Sequence, residues 1–496
     1  MLRFKLPGSR LACLFLIWIV FLSLFFLTCW ETPESLTRKR IKSVEKGLLK
    51  AVVLRGQKLE KMKLSKRMKY YRVSAVSLAV MDEYQIDWAK GYGVQDRKGM
   101  TKVTSESLFQ AGSLSQPVAA LGALHFVSTG RMGLDENVNH ILQAWKVPEN
   151  QFTREKKVTL RGLLSHSAGL NAFKFKGYSQ EEAIPSLLQV LGGQKPTNSR
   201  PVRVVSVPGT RMRYSEGGYA VLQQLMVDLE GKPFPQIMEE TVLEPLNMNH
   251  SSFAWPLPVG LRERMVPGHH RDGQKVEGGW FLYPEKAAAG LWSTPSDLAR
   301  FAIAIMDTAM GRSQRIISPK LARAMLTVQL GNKGLGFSIG DEGDNLNFNQ
   351  RGSNQGFECY LIAYPVRGKG AVIMTNSENG AYLIDEICRA ISEAYDWPHF
   401  QPEVKSLYRL DPSVYAQYVG KYEVNSDYTL TVTHQDYYLI IQPTGQAPTK
   451  FYVENQTTFF STDPYIQIQF VKNAQGEVSG LVLRQRDTGL EAKKIE

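Results

Sequence analysis

The sequence predicts a mixed α/β (α+β) fold followed by a small C-terminal β domain. Three observations carry this. Strand patterns lie at both ends of a long helical middle section. A proline-marked connector, Trp397-Pro398-His399-Phe400-Gln401-Pro402, precedes a run of short alternating segments. At 496 residues the chain is also too long for one ordinary core and predicts two globular units.

Taken in order, residues 1–10 form a basic start with Arg3, Lys5 and Arg10. Residues 11–30 are a 20-residue uncharged stretch rich in Leu, Phe and Ile, the length of a bilayer-spanning helix. Its apolar length and the lack of a clear small-residue cleavage site favour an uncleaved signal anchor over a signal peptide. Residues 31–72 read as a basic juxtamembrane segment and first helix. From Ser43 to Lys69 apolar residues recur among lysines, an amphipathic helix softened at Gly56. Val73 to Met81 reads as a buried strand and Trp88 to Val94 as its hairpin partner. Ser105 to Gly130 is predicted as one helix, with Pro117 in its first part. Helical patterns fill Leu134 to Met310, strands resume over Phe348 to Thr375, and Gly380 to Tyr395 closes the section as a helix. The first folded unit therefore spans 73–398, a linker 399–409, and the β domain 410–496. In the latter, Tyr428–Thr433, Tyr437–Gln442, Lys450–Val453, Thr458–Ser461, Tyr465–Val471 and Gly480–Gln485 are the expected strands of a small antiparallel sheet or barrel.

The formal charge of +12 does not describe a nucleic-acid-binding surface. Through Arg72 there are 17 Lys and Arg against 4 Asp and Glu, a balance of +13, so the remaining 424 residues sum to −1. The basicity belongs to the membrane-proximal end, and no nucleic-acid partner is expected. Cys13 and Cys29 fall in the apolar stretch, and Cys359 and Cys388 are two distant thiols, neither a disulfide framework nor a metal site. His269-His270 has no third ligand at useful spacing, so no metal is expected.

Three short runs carry chemistry: Phe109-Gln110-Ala111-Gly112-Ser113-Leu114-Ser115-Gln116-Pro117, Arg213-Tyr214-Ser215-Glu216-Gly217-Gly218-Tyr219 and Gln350-Arg351-Gly352-Ser353-Asn354-Gln355-Gly356-Phe357. A serine with a lysine three residues on, on one helical face, is an activated nucleophile. Here Gln116 keeps the reach and loses the charge.

With the flanking runs Leu163-Leu164-Ser165-His166-Ser167-Ala168-Gly169-Leu170 and Ala287 to Arg300, these motifs resemble the serine beta-lactamase and penicillin-binding-protein superfamily. The likeness is strongest to its class C-like esterase and D-aminopeptidase branch, and the tail from Leu410 resembles the lipocalin-like β domain of that branch. The resemblance covers about Val73 to Tyr395. It implies an antiparallel sheet flanked by helices with a helical subdomain, and a cleft between them. It further implies Ser113 as acylated nucleophile, Tyr214 as general base or proton shuttle, the N–H groups of Ser113 and Ser353 as oxyanion hole, His166 as a structural hydrogen-bonding residue, and no cofactor.

Against the family pattern, Gln116 stands for lysine, Glu216 for asparagine, and Gln350 for histidine or lysine. Glu216 places a carboxyl beside Tyr214, which raises the tyrosine's pKa and opposes its use as a base. Arg351, one residue along the strand from Gln350, points to the opposite face and does not replace the lost cation. The expectation is a membrane-anchored, catalytically impaired protein that binds a peptidoglycan-like peptide, another cell-wall-like small molecule or a protein partner. The alternative is a slow serine hydrolase of esterase, D-amino-acid peptidase or beta-lactamase type using Ser113 and Tyr214. Positive-inside counting of Arg38 to Lys50 puts the body in the cytoplasm, whereas the resemblance implies a periplasmic or extracytoplasmic body.

Overall fold

The computed structural model describes residues 32–95, 101–485 and 488–496. The expected anchor at 11–30 lies outside them. Among the described residues, no helix is long and apolar enough to cross a membrane.

Helix α1 (Pro33–Lys46) starts at Thr32, whose hydroxyl accepts the Ser35 N–H, with Pro33 in its first turn. The chain then leaves the helix, forms strand β1 (Val52–Leu54) and re-enters helix as α2 (Leu64–Tyr71). The single helix expected from Ser43 to Lys69 is therefore not formed. Val52 to Leu54 find a parallel ladder with Glu403 to Lys405, and Val52 and Leu54 bury against Phe460. Strand-favouring residues with a tertiary partner override the helical periodicity.

The hairpin β2 (Ala75–Asp82) and β3 (Gln85–Gly93) forms as the sequence predicts. The expected helix from Ser105 does not begin there. Phe109–Gln110 is a short strand, β4, followed by a 3-10 turn at Gly112–Leu114 and only then by helix α3 (Ser115–Ser128). β4 pairs with β5 (Trp292–Ser293), and Gly112 has φ +53°, outside helical geometry. α3 is buried without a break from Ser115 to Leu124, the mark of a central helix wrapped on all sides. The helical region continues through α4 (Glu216–Glu230) and α5 (Pro295–Ala309).

The sheet is completed by β6 (Ser338–Gly340), β7 (Asn347–Asn354), β8 (Phe357–Tyr364) and β9 (Lys369–Thr375), in the order β3-β2-β9-β8-β7-β6, antiparallel throughout. Helix α6 (Gly380–Tyr395) follows. Alternation along β2 feeds two cores: Ala75 and Ala79 enter the large core with α3, α4 and α5, while Val76, Leu78 and Val80 join α1, α2 and α6.

After β10 (Glu403–Lys405), eight strands close a barrel: β11 (Gly420–Asn425), β12 (Tyr428–Gln435), β13 (Tyr438–Pro443), β14 (Thr449–Val453), β15 (Thr458–Thr462), β16 (Tyr465–Lys472), β17 (Val478–Gln485) and β18 (Thr488–Lys494). Six were expected, and the two not foreseen, β11 and β18, pair with each other and shut the barrel. Tyr415, Tyr418, Tyr422, Phe459 and Phe470 fill its interior, so it is a packed core. Arg67 of α2 ties barrel to body: its guanidinium donates to Glu386 of α6 at 2.5 and 2.8 Å, and to Asp463 in the barrel at 2.9 Å.

Candidate active site

Two glycines set the geometry around Ser113. A Cβ on Gly112 would lie 2.5 Å from the Ser353 nitrogen, and one on Gly352 would lie 2.0 Å from the Ala111 carbonyl oxygen. Strand β7 can therefore press its backbone directly against the turn that carries Ser113, bringing the Ser113 and Ser353 segments together as an oxyanion hole requires.

Ser113 is 7% exposed and belongs to a hydrogen-bonded row of four side chains. The Gln116 amide donates to the Tyr214 hydroxyl at 2.7 Å, Tyr214 donates to Ser113 Oγ at 3.0 Å, and Ser113 Oγ donates to Glu216 Oε1 at 3.4 Å. The other Glu216 oxygen accepts the Phe175 N–H at 2.7 Å. Ser215 caps α4, which puts Glu216 in its first turn, where the helix dipole favours negative charge.

Burial raises the Tyr214 pKa well above the ordinary phenol value, and the Glu216 charge adds to the rise. Tyr214 is thus a protonated donor at neutral pH. Burial also pushes the Glu216 carboxyl up to about 7, against the opposing pull of the Phe175 N–H and Lys174. Of the two groups touching Ser113, Glu216 is the one whose proton is exchangeable near neutrality.

The remaining motif residues have structural partners. Gln350 is buried and its amide approaches the Ser113 carbonyl oxygen at 3.5 Å. Arg351 points to the other face and pairs with Asp385 of α6 at 2.7 Å. Ser353 Oγ donates to Glu358 at 2.9 Å and accepts from Lys174 Nζ at 3.1 Å. Ser115 Oγ donates to the Gly112 carbonyl and accepts the Leu291 N–H, pinning the turn that carries Ser113 to its neighbour. His166 accepts the Ser215 N–H at 3.2 Å, and burial lowers its pKa to about 3, so it is a neutral prop beneath the Tyr214 ring, 4.4 Å away. His269 and His270 turn to Asn376 and Glu378, and no metal-holding cluster occurs among the described residues. Cys359 and Cys388 are buried free thiols.

Sequence reading missed four contributors. Phe175 supplies the N–H to Glu216, Lys174 reaches Ser353, and Lys333 sits 5.7 Å from the Tyr214 ring while donating to Ser338. The Phe173 ring covers Tyr214 edge-on at 5.4 Å. None belongs to a recognisable motif; only the folding of loops 171–176 and 331–334 around Tyr214, Glu216 and Ser353 brings them in.

Comparison with known proteins agrees with this architecture. The family model described as Beta-lactamase matches residues 62–387. The unguisins hydrolase of Aspergillus violaceofuscus is 24% identical over 263 residues, 48% of this chain and 43% of that protein, so the chain spans less than half the length of this relative. Penicillin-binding protein 4* of Bacillus subtilis is 22% identical over 416 residues, covering 77% of this chain and 86% of its own length. Among solved structures, the octameric penicillin-binding protein homologue from Pyrococcus abyssi superposes with a TM-score of 0.60 at 18% identity, over 86% of this chain and 98% of that one.

Proposed function

Because the chain belongs to the beta-lactamase family, we propose that it is a slow serine acyl hydrolase in which the Glu216 carboxylate, rather than a lysine-assisted tyrosine, takes the Ser113 proton. The observation that carries this reading is the position of Ser113 Oγ between a tyrosine hydroxyl that donates to it and a carboxylate that accepts from it.

In the proposed cycle, Ser113 Oγ attacks the carbonyl carbon of an ester or amide as its proton passes to Glu216. The Ser113 and Ser353 N–H groups hold the oxyanion, a contribution of roughly 3–4 kcal/mol per well-placed donor. Collapse of the tetrahedral adduct expels the alcohol or amine, which takes the proton from Glu216, and leaves Ser113 Oγ bonded to the acyl group. Water then attacks the acyl carbon as it loses a proton to Glu216, and the second collapse breaks the bond to Ser113 Oγ, which accepts the Tyr214 hydrogen bond and takes the proton back from Glu216 as the acid is released. That one relative is a hydrolase by name, and another a penicillin-binding protein, supports acyl chemistry.

A second reading, binding of a cell-wall-like peptide or a protein partner without turnover, is favoured by Gln116, whose neutral amide occupies the place of the family's ammonium beside Tyr214. In both readings the chain is tethered through residues 11–30, supported by the length of that uncharged stretch, and the body lies outside the cytoplasm, a placement supported by the family resemblance and opposed by the basic charges after the stretch.

Intact-mass analysis of the purified full chain after exposure to a fluorophosphonate separates the two. Hydrolase chemistry predicts a phosphonyl adduct, formed with loss of fluoride, that is missing in Ser113→Ala. No adduct on the parent would favour the binding reading.

A further inference from the structure

Next to the nucleophile turn lies a cavity of about 330 Å³ that does not include Ser113. Trp255, Phe281, Tyr283 and Trp292 provide aromatic walls, and Ile184 and Leu187 extend the apolar lining. Gln110, three residues before Ser113, belongs to the same wall; its amide donates to the Phe281 carbonyl at 2.7 Å and accepts from Asn354, the neighbour of Ser353. The volume lies within the ordinary range of small-molecule sites.

One charged residue lines this apolar space. Lys286 is half-buried, and its ammonium donates to the Phe253 carbonyl at 2.9 Å, beside Ala254 and Trp255 of the cavity wall. Among the described residues no ion pair involves Lys286, and burial alone shifts its pKa, down to about 8, with no carboxylate acting on it. The neighbouring Glu285 does not serve: it is fully buried, neither of its carboxyl oxygens has a hydrogen-bond partner, and burial holds it protonated at neutral pH. A desolvated ammonium without a counter-ion at the edge of an aromatic cavity gains most from a ligand that brings one negative charge and an apolar body.

We propose that this cavity binds an apolar monocarboxylate, with the carboxylate on Lys286 and the hydrocarbon or aryl part among Trp255, Phe281, Tyr283 and Trp292. The site is non-covalent and does not rest on the reactivity of Ser113.

The test uses the full chain in lipid nanodiscs and two soluble probes, 3-phenylpropionate and its neutral counterpart 3-phenylpropan-1-ol, measured by isothermal titration with empty nanodiscs subtracted. The acid should bind at one site per chain and at least tenfold more tightly than the alcohol. Lys286→Met should reduce the acid's affinity about tenfold and leave the alcohol's unchanged, while Lys286→Arg should retain the preference. Ser113→Ala should bind both probes like the parent, which separates this site from the hydrolase reading. Trp255, 37% exposed at the cavity rim, gives a variant with little risk to folding, and Trp255→Ala should weaken both probes at least threefold. Equal binding of acid and alcohol, no binding of the acid, or a Trp255→Ala protein that binds unchanged would overturn the proposal.

Discussion

Ser113 Oγ lies 3.4 Å from Glu216 Oε1, across 103 positions of sequence, and the carboxyl it faces is buried and titrates near neutrality. The residue that reads in the motif as an obstacle to Tyr214 is the carboxyl that accepts the Ser113 hydrogen bond, and in the proposed cycle it takes the Ser113 proton. Buried carboxyls with pKa values near the operating pH are suited to general-base work.

Tyr214 then has a supporting part. Replacing it by phenylalanine removes one hydrogen bond to Ser113 and should slow fluorophosphonate labelling by about tenfold or less. Loss of a true general base costs about 10²–10⁴-fold, so a drop of that size in Tyr214→Phe would return the base role to the tyrosine.

Glu285 should set the alkaline limit of stability. Its pKa rises from 4.5 to about 8 through burial, so the folded protein holds a proton that the unfolded chain releases above pH 4.5. Stability from this group is complete below the unfolded value and is lost as the pH climbs through about 8. Glu285→Gln cannot titrate. Relative to the parent it should therefore gain on the order of 4 kcal/mol in unfolding free energy between pH 5 and pH 9, read by urea denaturation with tryptophan fluorescence. A variant-minus-parent difference independent of pH would show that Glu285 does not hold its proton.

Gly352 should matter more for activity than for folding. A methyl group there meets the Ala111 carbonyl at 2.0 Å and forces β7 away from the nucleophile turn, separating the Ser353 N–H from that of Ser113. Gly352→Ala should lower the labelling rate about 10²–10³-fold, the cost of an oxyanion donor, whereas Gly260→Ala, with open space at its Cβ position, should label like the parent. Comparable rates in both variants would mean that the close approach of β7 is not needed.

Much of the fold was legible because its signals are local. The apolar rhythm of α6 marks Gly380 and Tyr395 as its ends, and the hairpin of β2 and β3 declares itself by its buried run and tight turn. The misreadings came where distant partners decide. Val52 to Leu54 follow a helical pattern until they meet Glu403 to Lys405, some 350 residues away. The barrel's closing strands β11 and β18 depend likewise on each other. At the site, Ser113, Tyr214, Glu216, Gln350 and Ser353 were visible because each sits in a short motif. The contributions of Lys174, Phe175 and Lys333 were not, since tertiary folding alone carries them to Ser353, Glu216 and Tyr214. The sense of Glu216 also depended on distance: beside Tyr214 in sequence it reads as a repulsive charge, and in space it also faces Ser113.

The most direct measurement is the fluorophosphonate labelling rate of the full chain from pH 5 to pH 9, compared with Glu216→Gln. The account predicts a parent rate that rises with pH through about 7, as the carboxyl ionises, and then levels, with Glu216→Gln at least 10²-fold slower and without that rise. A Glu216→Gln protein that labels at the parent rate with the same profile would contradict it.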